Sequence, residues 1–277
     1  MNSINCKGKL LDLSQPLVMG IINATPDSFY EGHLALSSGD VLSLAGKLIN
    51  DGAAILDIGG LSTKPGSKAI SIQEETERVC PVIESIHAAY PNTIISVDTY
   101  NSAVAVAAVQ AGASIVNDIS GGNLDRNMVS TVAALQVPYI CMHMQGTPET
   151  MQQQPVYNNL TGELLDFFIQ KIEACTRAGI RDIIIDPGFG FGKTIAHNFE
   201  LLKSLPVFAV TGRPLLAGLS RKSTIYKTLG VTAAQALNGT TVLNTMALLN
   251  GASILRVHDV KEAREAVLLF NAYKKAP

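Results

Sequence analysis

The apolar residues of this chain are concentrated in short runs that are rich in β-branched side chains. Near-continuous apolar runs of this length are typical of strands that are buried on both faces of a parallel sheet. We predict eight strands from them: residues 17–22, 54–58, 93–97, 114–117, 137–142, 182–186, 214–219 and 253–257. The pattern therefore favours a parallel sheet over an antiparallel sheet with one solvated face.

Amphipathic stretches fill most of the gaps between these runs, and they predict helices over 39–51, 71–90, 101–112, 125–136, 160–179, 233–250 and 260–274. Asp125 is placed to cap one helix, and Ser71 with Glu74 fits a capping box at another. Eight strand–helix units predict an α/β fold, a (β/α)8 TIM barrel that occupies residues 1–277 as a single domain. An open doubly wound sheet is the alternative, but the GxGxxG pattern is missing after the first strand.

Composition limits the possible partners of the chain. A net charge of −2 gives no general attraction to nucleic acid or to anionic lipid, so we expect neither as a partner. No apolar run approaches the ~20 residues of a membrane-spanning helix. Residues 1–15 lack the apolar segment of a signal peptide, and the four cysteines form no CxxC pair. We therefore expect a cytoplasmic protein that acts on small molecules.

Polar residues follow the predicted strands at their carboxyl ends, where a (β/α)8 barrel carries its active site. They are Asn23, Asp57, Asp98, Asn117, His143, Asp186, Ser220, Arg221, Lys222, Arg256 and His258. Carboxylate and amide groups suit a planar heterocycle with N–H donors, whereas the cationic groups suit a phosphate. We predict a pocket for a flat base joined to a polyanion. The alternative is that these groups pair with one another for purely structural reasons.

The segment 186–193 (DPGFGFGK) stands out by its glycines and aromatic residues. Its glycines permit close approach of the backbone to a ligand, and Phe189 and Phe191 can present aromatic faces. The spacing does not fit a phosphate-binding GxxxxGK[ST] loop, and the simplest interpretation leaves Lys193 solvated. We interpret His143 as a buried core histidine rather than a ligand, and His197 as a helix cap or surface residue.

Eight motifs, taken together and in order, resemble those of the dihydropteroate synthases. They are NATPDSF at 23–29, DIGG with ST and PG at 57–66, SVDT at 96–99, NDI at 117–119, MHMQG at 142–146, DPGFGFGK at 186–193, SRKS at 220–223 and RVHD at 256–259. The resemblance implies an enzyme of folate biosynthesis, a transferase that joins p-aminobenzoate to a pterin pyrophosphate. It also implies a homodimer and a Mg²⁺ cofactor.

The resemblance assigns each site residue a role. The pterin ring is expected to contact Asp98, Asn117, Met142, Asp186 and Lys222. The pyrophosphate is expected to contact Asn23, Thr63, Arg256 and His258, with Asn23 also a ligand of Mg²⁺. The p-aminobenzoate is expected to contact Phe29, Thr63, Lys64, Pro65, Phe191, Ser220 and Lys222. Asp98, Lys222 and Asn23 are the expected catalytic residues.

The chain departs from the family pattern near the p-aminobenzoate. Leu61 stands where the family usually has Glu, and Lys64 stands where it usually has Arg. The first loop reads Tyr-Glu-Gly-His at 30–33, where the family typically has Ser-Asp-Gly-Gly. A lysine lacks the planar fork with which arginine grips a carboxylate, so we expect altered recognition of p-aminobenzoate and of sulfonamide analogues.

Two other functions would share part of this pattern. A barrel that transfers a methyl group from a reduced folate to a corrinoid would share the pterin residues, but it would not need the groups of 220–222 and 256–258. A pterin-binding barrel that has lost its activity is the second alternative. Retention of Asn23, Asp98 and Lys222 argues against it.

Overall fold

The computed structural model describes residues 3–24, 38–61, 70–151 and 155–277. Its strands are β1 (Ser3–Cys6), β2 (Lys9–Asp12), β3 (Leu17–Asn23), β4 (Ile55–Gly59), β5 (Ile94–Asp98), β6 (Ile115–Asp118), β7 (Tyr139–Met142), β8 (Ile183–Asp186), β9 (Leu216–Ala217) and β10 (Ile254–Val257). Its helices are α1 (Ser38–Asn50), α2 (Ile72–Ala89), α3 (Ser102–Ala111), α4 (Met128–Leu135), α5 (Leu160–Ala178), α6 (Ile195–Ser204), α7 (Ser223–Leu229), α8 (Leu237–Leu249) and α9 (Val260–Lys275).

Eight of the strands form one parallel sheet in the order β8-β7-β6-β5-β4-β3-β10-β9. A parallel bridge between Ile185 and Leu215 joins the two ends of this order and closes the sheet into a barrel. The predicted (β/α)8 barrel is therefore confirmed, with its strands where the apolar runs lie. That residues 1–277 form one domain stays a prediction.

The ninth strand is much shorter than its apolar run. Residues 214–219 were predicted to be a strand, but β9 consists of Leu216 and Ala217 alone, paired with Ile254 and Leu255. The chain beyond Ala217 leaves the ladder and enters the turn that contains Ser220 and Lys222.

A two-stranded antiparallel hairpin, β1 with β2, precedes the barrel. Its inward residues Ile4 and Cys6 are 1% exposed. They pack against one residue of each barrel strand: Met19, Ile55, Ile94, Ile115, Ile140, Ile184, Leu216 and Ile254. The hairpin thus covers the end of the barrel at which the strands begin. We call the opposite end, where the strands finish, the mouth.

The helices differ from the predictions in three respects. The predicted helix 233–250 begins later, at Leu237, and α7 was not predicted, whereas the helix expected to open at His197 is α6. Asp125 does not cap its own helix, because α4 begins after Asn127. Its carboxylate instead accepts a hydrogen bond of 2.7 Å from the backbone N–H of Ser102, at the start of α3.

Two predicted caps are present. The hydroxyl of Ser71 accepts from the backbone N–H of Glu74 at 3.1 Å and begins α2, although the Glu74 carboxylate pairs with Arg78 rather than completing a capping box. His197 and Thr194 form a capping box at the start of α6. Among the residues that the structure describes, no helix combines the length and hydropathy needed to cross a membrane.

Candidate active site

The guanidinium of Arg256, at the end of β10, connects carboxylates of two other strands at the mouth. Its Nε donates to Asp57 Oδ2 on β4, and its terminal nitrogen donates to Asp98 Oδ2 on β5, both at 2.6 Å. The side-chain amide of Asn117 on β6 donates to the same oxygen of Asp57 at 3.0 Å. Four strand ends are therefore held in register by one charged network.

Asp57 was not assigned a role in the site from the sequence. Its side chain is fully buried, and it accepts from both Arg256 and Asn117. Its other oxygen, Oδ1, is buried without a hydrogen-bond partner among the described residues. Asp57 thus orients two predicted ligand-binding residues. Its position at a strand end was visible in the sequence, but its partners were not.

The carboxylates at the mouth have unusual acidities. Desolvation raises the pKa of Asp98 to about 7, and the positive charge of Arg256 opposes this shift while Asp57 adds to it. Desolvation also raises the pKa of Asp186, which Lys222 and a hydrogen bond from the Gly188 N–H at 2.8 Å oppose. Burial thus weakens both acids, while the neighbouring cations favour their ionised forms.

Lys222 lies between the end of β8 and the aromatic loop that follows it. Its ammonium donates to the carbonyl of Phe189 and lies 4.7 Å from the centroid of the Phe191 ring, a cation–π geometry. Burial lowers the pKa of Lys222 to about 8, and the charge of Asp186 limits this shift. The structure thus brings together three predicted site residues, Asp186, Phe191 and Lys222.

Ser220 and His258 form a second pair at the mouth. The serine hydroxyl lies 3.0 Å from Nδ1 of His258 and accepts from the backbone N–H of His258 at 3.2 Å. Desolvation by the surrounding protein, and then the charge of Arg256, lower the pKa of His258, although the residue is exposed to solvent, which weakens both effects. His258 thus lies hydrogen-bonded to Ser220 at the mouth, close to the charge of Arg256.

An apolar wall completes one side of the mouth. Met142 is 3% exposed and packs with Ile119, Met144 and Met151, and Phe191 lies against this cluster. Met142 also pairs with Asp186 in the sheet, so the apolar wall adjoins the buried carboxylate. The apolar wall therefore lies beside Asp186, and the expected contact of Met142 with a pterin stays a prediction.

Lys193 corrects one interpretation from the sequence. It is 3% exposed rather than solvated, and its ammonium donates to the carbonyls of Gly188 at 3.0 Å and Phe191 at 3.1 Å. Nδ1 of His143, which is itself 8% exposed, lies 3.1 Å from the same ammonium. His143 is thus the buried, hydrogen-bonded histidine that the sequence suggested.

Comparisons with known proteins agree with this geometry. A family model described as pterin binding enzyme matches residues 19–258. The dihydropteroate synthase of Escherichia coli strain K12 is 43% identical over 268 residues, which are 96% of this chain and 94% of that protein. This chain belongs to the dihydropteroate synthase family.

Solved structures of the dihydropteroate synthase family have the same fold over the whole chain. The enzyme of Yersinia pestis in a complex with a sulfonamide drug superposes with a TM-score of 0.94 at 40% identity, covering 99% of this chain and 100% of that one. The enzyme of Xanthomonas albilineans with 4-aminobenzoic acid gives 0.93 at 39% identity, with 100% and 99% covered.

Some residues expected from the dihydropteroate synthase pattern cannot be placed. Phe29, Thr63, Lys64 and Pro65 lie outside the described residues, and so does most of the first loop. Asn23 is described: it is half-buried at the end of β3 and pairs with Gly59, next to Asp98 in the sheet. The individual ligand contacts expected for all of these residues stay predictions.

Proposed function

We propose that this chain condenses 6-hydroxymethyl-7,8-dihydropterin pyrophosphate with p-aminobenzoate, giving 7,8-dihydropteroate and pyrophosphate for folate biosynthesis. The observation that carries the proposal is the mouth of the barrel, where Asp98, Asn117 and Asp186 adjoin Arg256 and Lys222. Hydrogen-bond acceptors for a heterocycle and cations for a polyanion occur there side by side.

The pterin would bind at the buried carboxylate of Asp186. One oxygen of this carboxylate accepts from Gly188, and the other receives no hydrogen bond from the described residues, so it can accept from the ring N–H groups of the pterin. Met142 supplies the apolar contact for the face of the ring. Asn117, oriented by Asp57, supplies an amide that can donate and accept.

Departure of pyrophosphate breaks the bond between its oxygen and the pterin methylene carbon. Negative charge grows on the leaving group, and a cation fixed near it would stabilise that charge. Arg256, which is paired with Asp57 and Asp98, is such a cation. Asp57 and Asp98 hold the guanidinium in place before the substrate arrives. Positive charge develops on the pterin, and the ionised form of Asp98 would stabilise it.

The attacking amine then forms the new carbon–nitrogen bond and releases a proton. An arylamine is a weak neutral nucleophile, so it needs positioning rather than a covalent enzyme intermediate. Phe191, Ser220 and Lys222 line the side of the mouth from which it would approach. The residues of 62–66 that would complete this subsite lie outside the described part of the chain.

Mg²⁺ is the proposed cofactor, and the donors at the mouth are compatible with it. The amide oxygen of Asn23 is a hard ligand of the kind that Mg²⁺ accepts. Among the described residues, no cluster of three histidine, cysteine or acidic side chains could hold a metal. Mg²⁺ commonly keeps several waters and binds through substrate phosphates, so one protein ligand is sufficient. When bound, it would neutralise charge on the leaving pyrophosphate.

We also propose that the protein is a cytoplasmic homodimer. Exposed apolar side chains are concentrated on the adjacent helices α8 and α9: Val242, Met246, Leu249, Leu268, Leu269 and Tyr273, which are 45–73% exposed. We call this surface the α8–α9 face. An apolar patch on neighbouring helices is typical of an interface between subunits. A second copy of the chain fits it because a twofold interface uses the same patch on both subunits.

The test of the proposed reaction is a pyrophosphate-release assay with the pterin pyrophosphate. Release that requires both Mg²⁺ and p-aminobenzoate, with formation of 7,8-dihydropteroate, supports the proposal. Methyl transfer from a reduced folate to a corrinoid, without pyrophosphate release, would instead support the alternative enzyme. Pterin binding without either reaction would indicate a barrel that has lost its activity.

A further inference from the structure

The ammonium of Lys193 is buried, and no carboxylate of the described residues lies within ion-pair distance of it. Its neighbours are instead the carbonyls of Gly188 and Phe191 at 3.0 and 3.1 Å, the carbonyl of His143 at 3.4 Å and Nδ1 of His143 at 3.1 Å. Burial lowers the pKa of Lys193 to about 7. Backbone carbonyls are therefore the direct partners of the charged ammonium, and Asp186 adds an attraction from a longer distance.

The carbonyls of Gly188 and Phe191 belong to the loop of residues 186–193. Without the ammonium between them, these carbonyls would not stabilise the shape of that loop. Carbonyl oxygens that converge on one point repel one another unless a donor lies between them. Gly188, Gly190 and Gly192 have φ values of +69°, +83° and +62°. A Cβ on Gly188 would lie 2.0 Å from the carbonyl oxygen of His143, so the loop is in close contact with the end of β7. Lys193 supplies the donor that this close arrangement needs.

The outer side of the same loop holds Lys222. The Phe189 carbonyl accepts from the Lys222 ammonium, and the Phe191 ring lies beneath that ammonium. A Cβ on Gly190 would lie 3.3 Å from Lys222 Cδ, so the lysine stem lies along the loop backbone. The loop thus contacts one lysine on each side. Lys193 donates to the carbonyls of Gly188 and Phe191, and Lys222 donates to the carbonyl of Phe189.

We propose that Lys193 is a positioning residue for Lys222. By holding the carbonyls of Gly188 and Phe191 at the end of β7, its ammonium fixes the loop in the shape that presents the Phe189 carbonyl and the Phe191 ring to Lys222. The consequence for the reaction rests on the proposed function, because Lys222 is there a contact of both the pterin and p-aminobenzoate.

K193M keeps the volume of the side chain and removes its donors. It leaves the carbonyls of Gly188 and Phe191 without the ammonium, so we expect K193M to fold with a lower thermal stability than the wild type. Ligand affinity of the folded protein then reports on positioning separately from folding. K203M is the matched control, since Lys203 is exposed on α6, ten residues further along the chain.

The decisive experiment is a double-mutant cycle with K193M and K222M, measured by calorimetry as the affinity for 7,8-dihydropteroate. Product affinity can be measured in variants that do not turn over. If Lys193 acts through Lys222, K193M should lower the affinity about tenfold when Lys222 is present, as expected for one or two lost hydrogen bonds. It should lower the affinity less than about twofold in the K222M protein, because the interaction is already gone.

Equal losses in both backgrounds, or no loss in either, would overturn the proposal. K203M should bind as the wild type does. If K193M is not recovered folded, K193Q, which keeps two N–H donors, takes its place in the cycle with the same criteria. Failure of the proposed function would be recognised separately, because the wild-type protein would then release no pyrophosphate in the assay with both substrates and Mg²⁺.

Discussion

Asp186 is the residue on which the expected pterin site depends most directly. Asp186→Asn keeps an oxygen that can accept from Gly188, so the glycine loop should stay in place. It loses the negative charge offered to the pterin N–H groups. A hydrogen bond to a charged group contributes about 1.5–3 kcal/mol, so we expect pterin affinity to fall roughly 10- to 150-fold. Calorimetric titration with the pterin pyrophosphate measures this.

Asp166→Asn is the matched control for that substitution, since Asp166 is exposed on α5. It should leave pterin affinity unchanged. Equal affinities for Asp186→Asn and the wild type, with both proteins folded, would show that Asp186 does not contact the pterin.

The lowered pKa of Lys222 predicts that the activity with p-aminobenzoate depends on pH. Because its pKa is lowered to about 8, the ammonium is charged below that value and is lost as the pH rises through it. We expect kcat/KM for p-aminobenzoate to fall above about pH 8, with the enzyme still folded. Lys222→Arg carries a charge that does not titrate in this range, so its residual activity should show no such fall. An unchanged alkaline limb in Lys222→Arg would assign it to another group.

Single residues also show where sequence was sufficient and where it was not. Asp98, Asn117 and Asp186 were predictable because parallel strands finish at one end of a barrel, and a polar residue there needs no knowledge of its neighbours. The burial of Lys193 depends on carbonyls that converge only in the folded loop. Nothing in its local sequence distinguishes it from a solvated lysine.

At the scale of elements, the hairpin of β1 and β2 precedes the barrel and was not predicted from the apolar pattern. Each of its strands has four residues, too short for a periodic signal to emerge. The barrel strands were predictable because each is a nearly unbroken apolar run. Helix α7 has seven residues and was missed for the same reason as the hairpin.

Truncating one side chain in each strand of the hairpin should have unequal effects on the free energy of unfolding. Ile4 is 1% exposed against the strand starts, whereas Leu10 on the facing strand is 76% exposed. Ile4→Ala should lower the free energy of unfolding by about 2–5 kcal/mol, the usual range for such a core truncation. Leu10→Ala should change it by less than about 0.5 kcal/mol. Chemical denaturation measures both.

Neither hairpin variant should change the Michaelis constants, because the hairpin lies at the opposite end of the barrel from the mouth. Similar losses of stability in the two variants would mean that the hairpin does not seal the barrel as described.

At the scale of the whole molecule, the α8–α9 face determines the expected assembly. Leu269 is 73% exposed on α9. In a twofold interface each subunit contributes the same residue, so Leu269→Lys would bury two positive charges in the core of the interface. The core of an interface is depleted of charged residues, so this variant should be a monomer. Sedimentation equilibrium distinguishes the two masses. Ile169→Lys, at a 51% exposed position on α5, should leave the mass unchanged.

The barrel is expected to open first beside the short strand β9. On one side of β9 a single bridge joins the chain to β8, and on the other side two residue pairs join β9 to β10; we call these two edges the seam. In contrast, five residue pairs join β4 to β5. Amide hydrogens along this seam should exchange with deuterium sooner than those of β4, since fewer bonds must break together. Ser220 and Lys222 follow directly on the seam. The groups expected to bind the second substrate are thus attached to the part of the barrel that we expect to open before the pairing of β4 with β5.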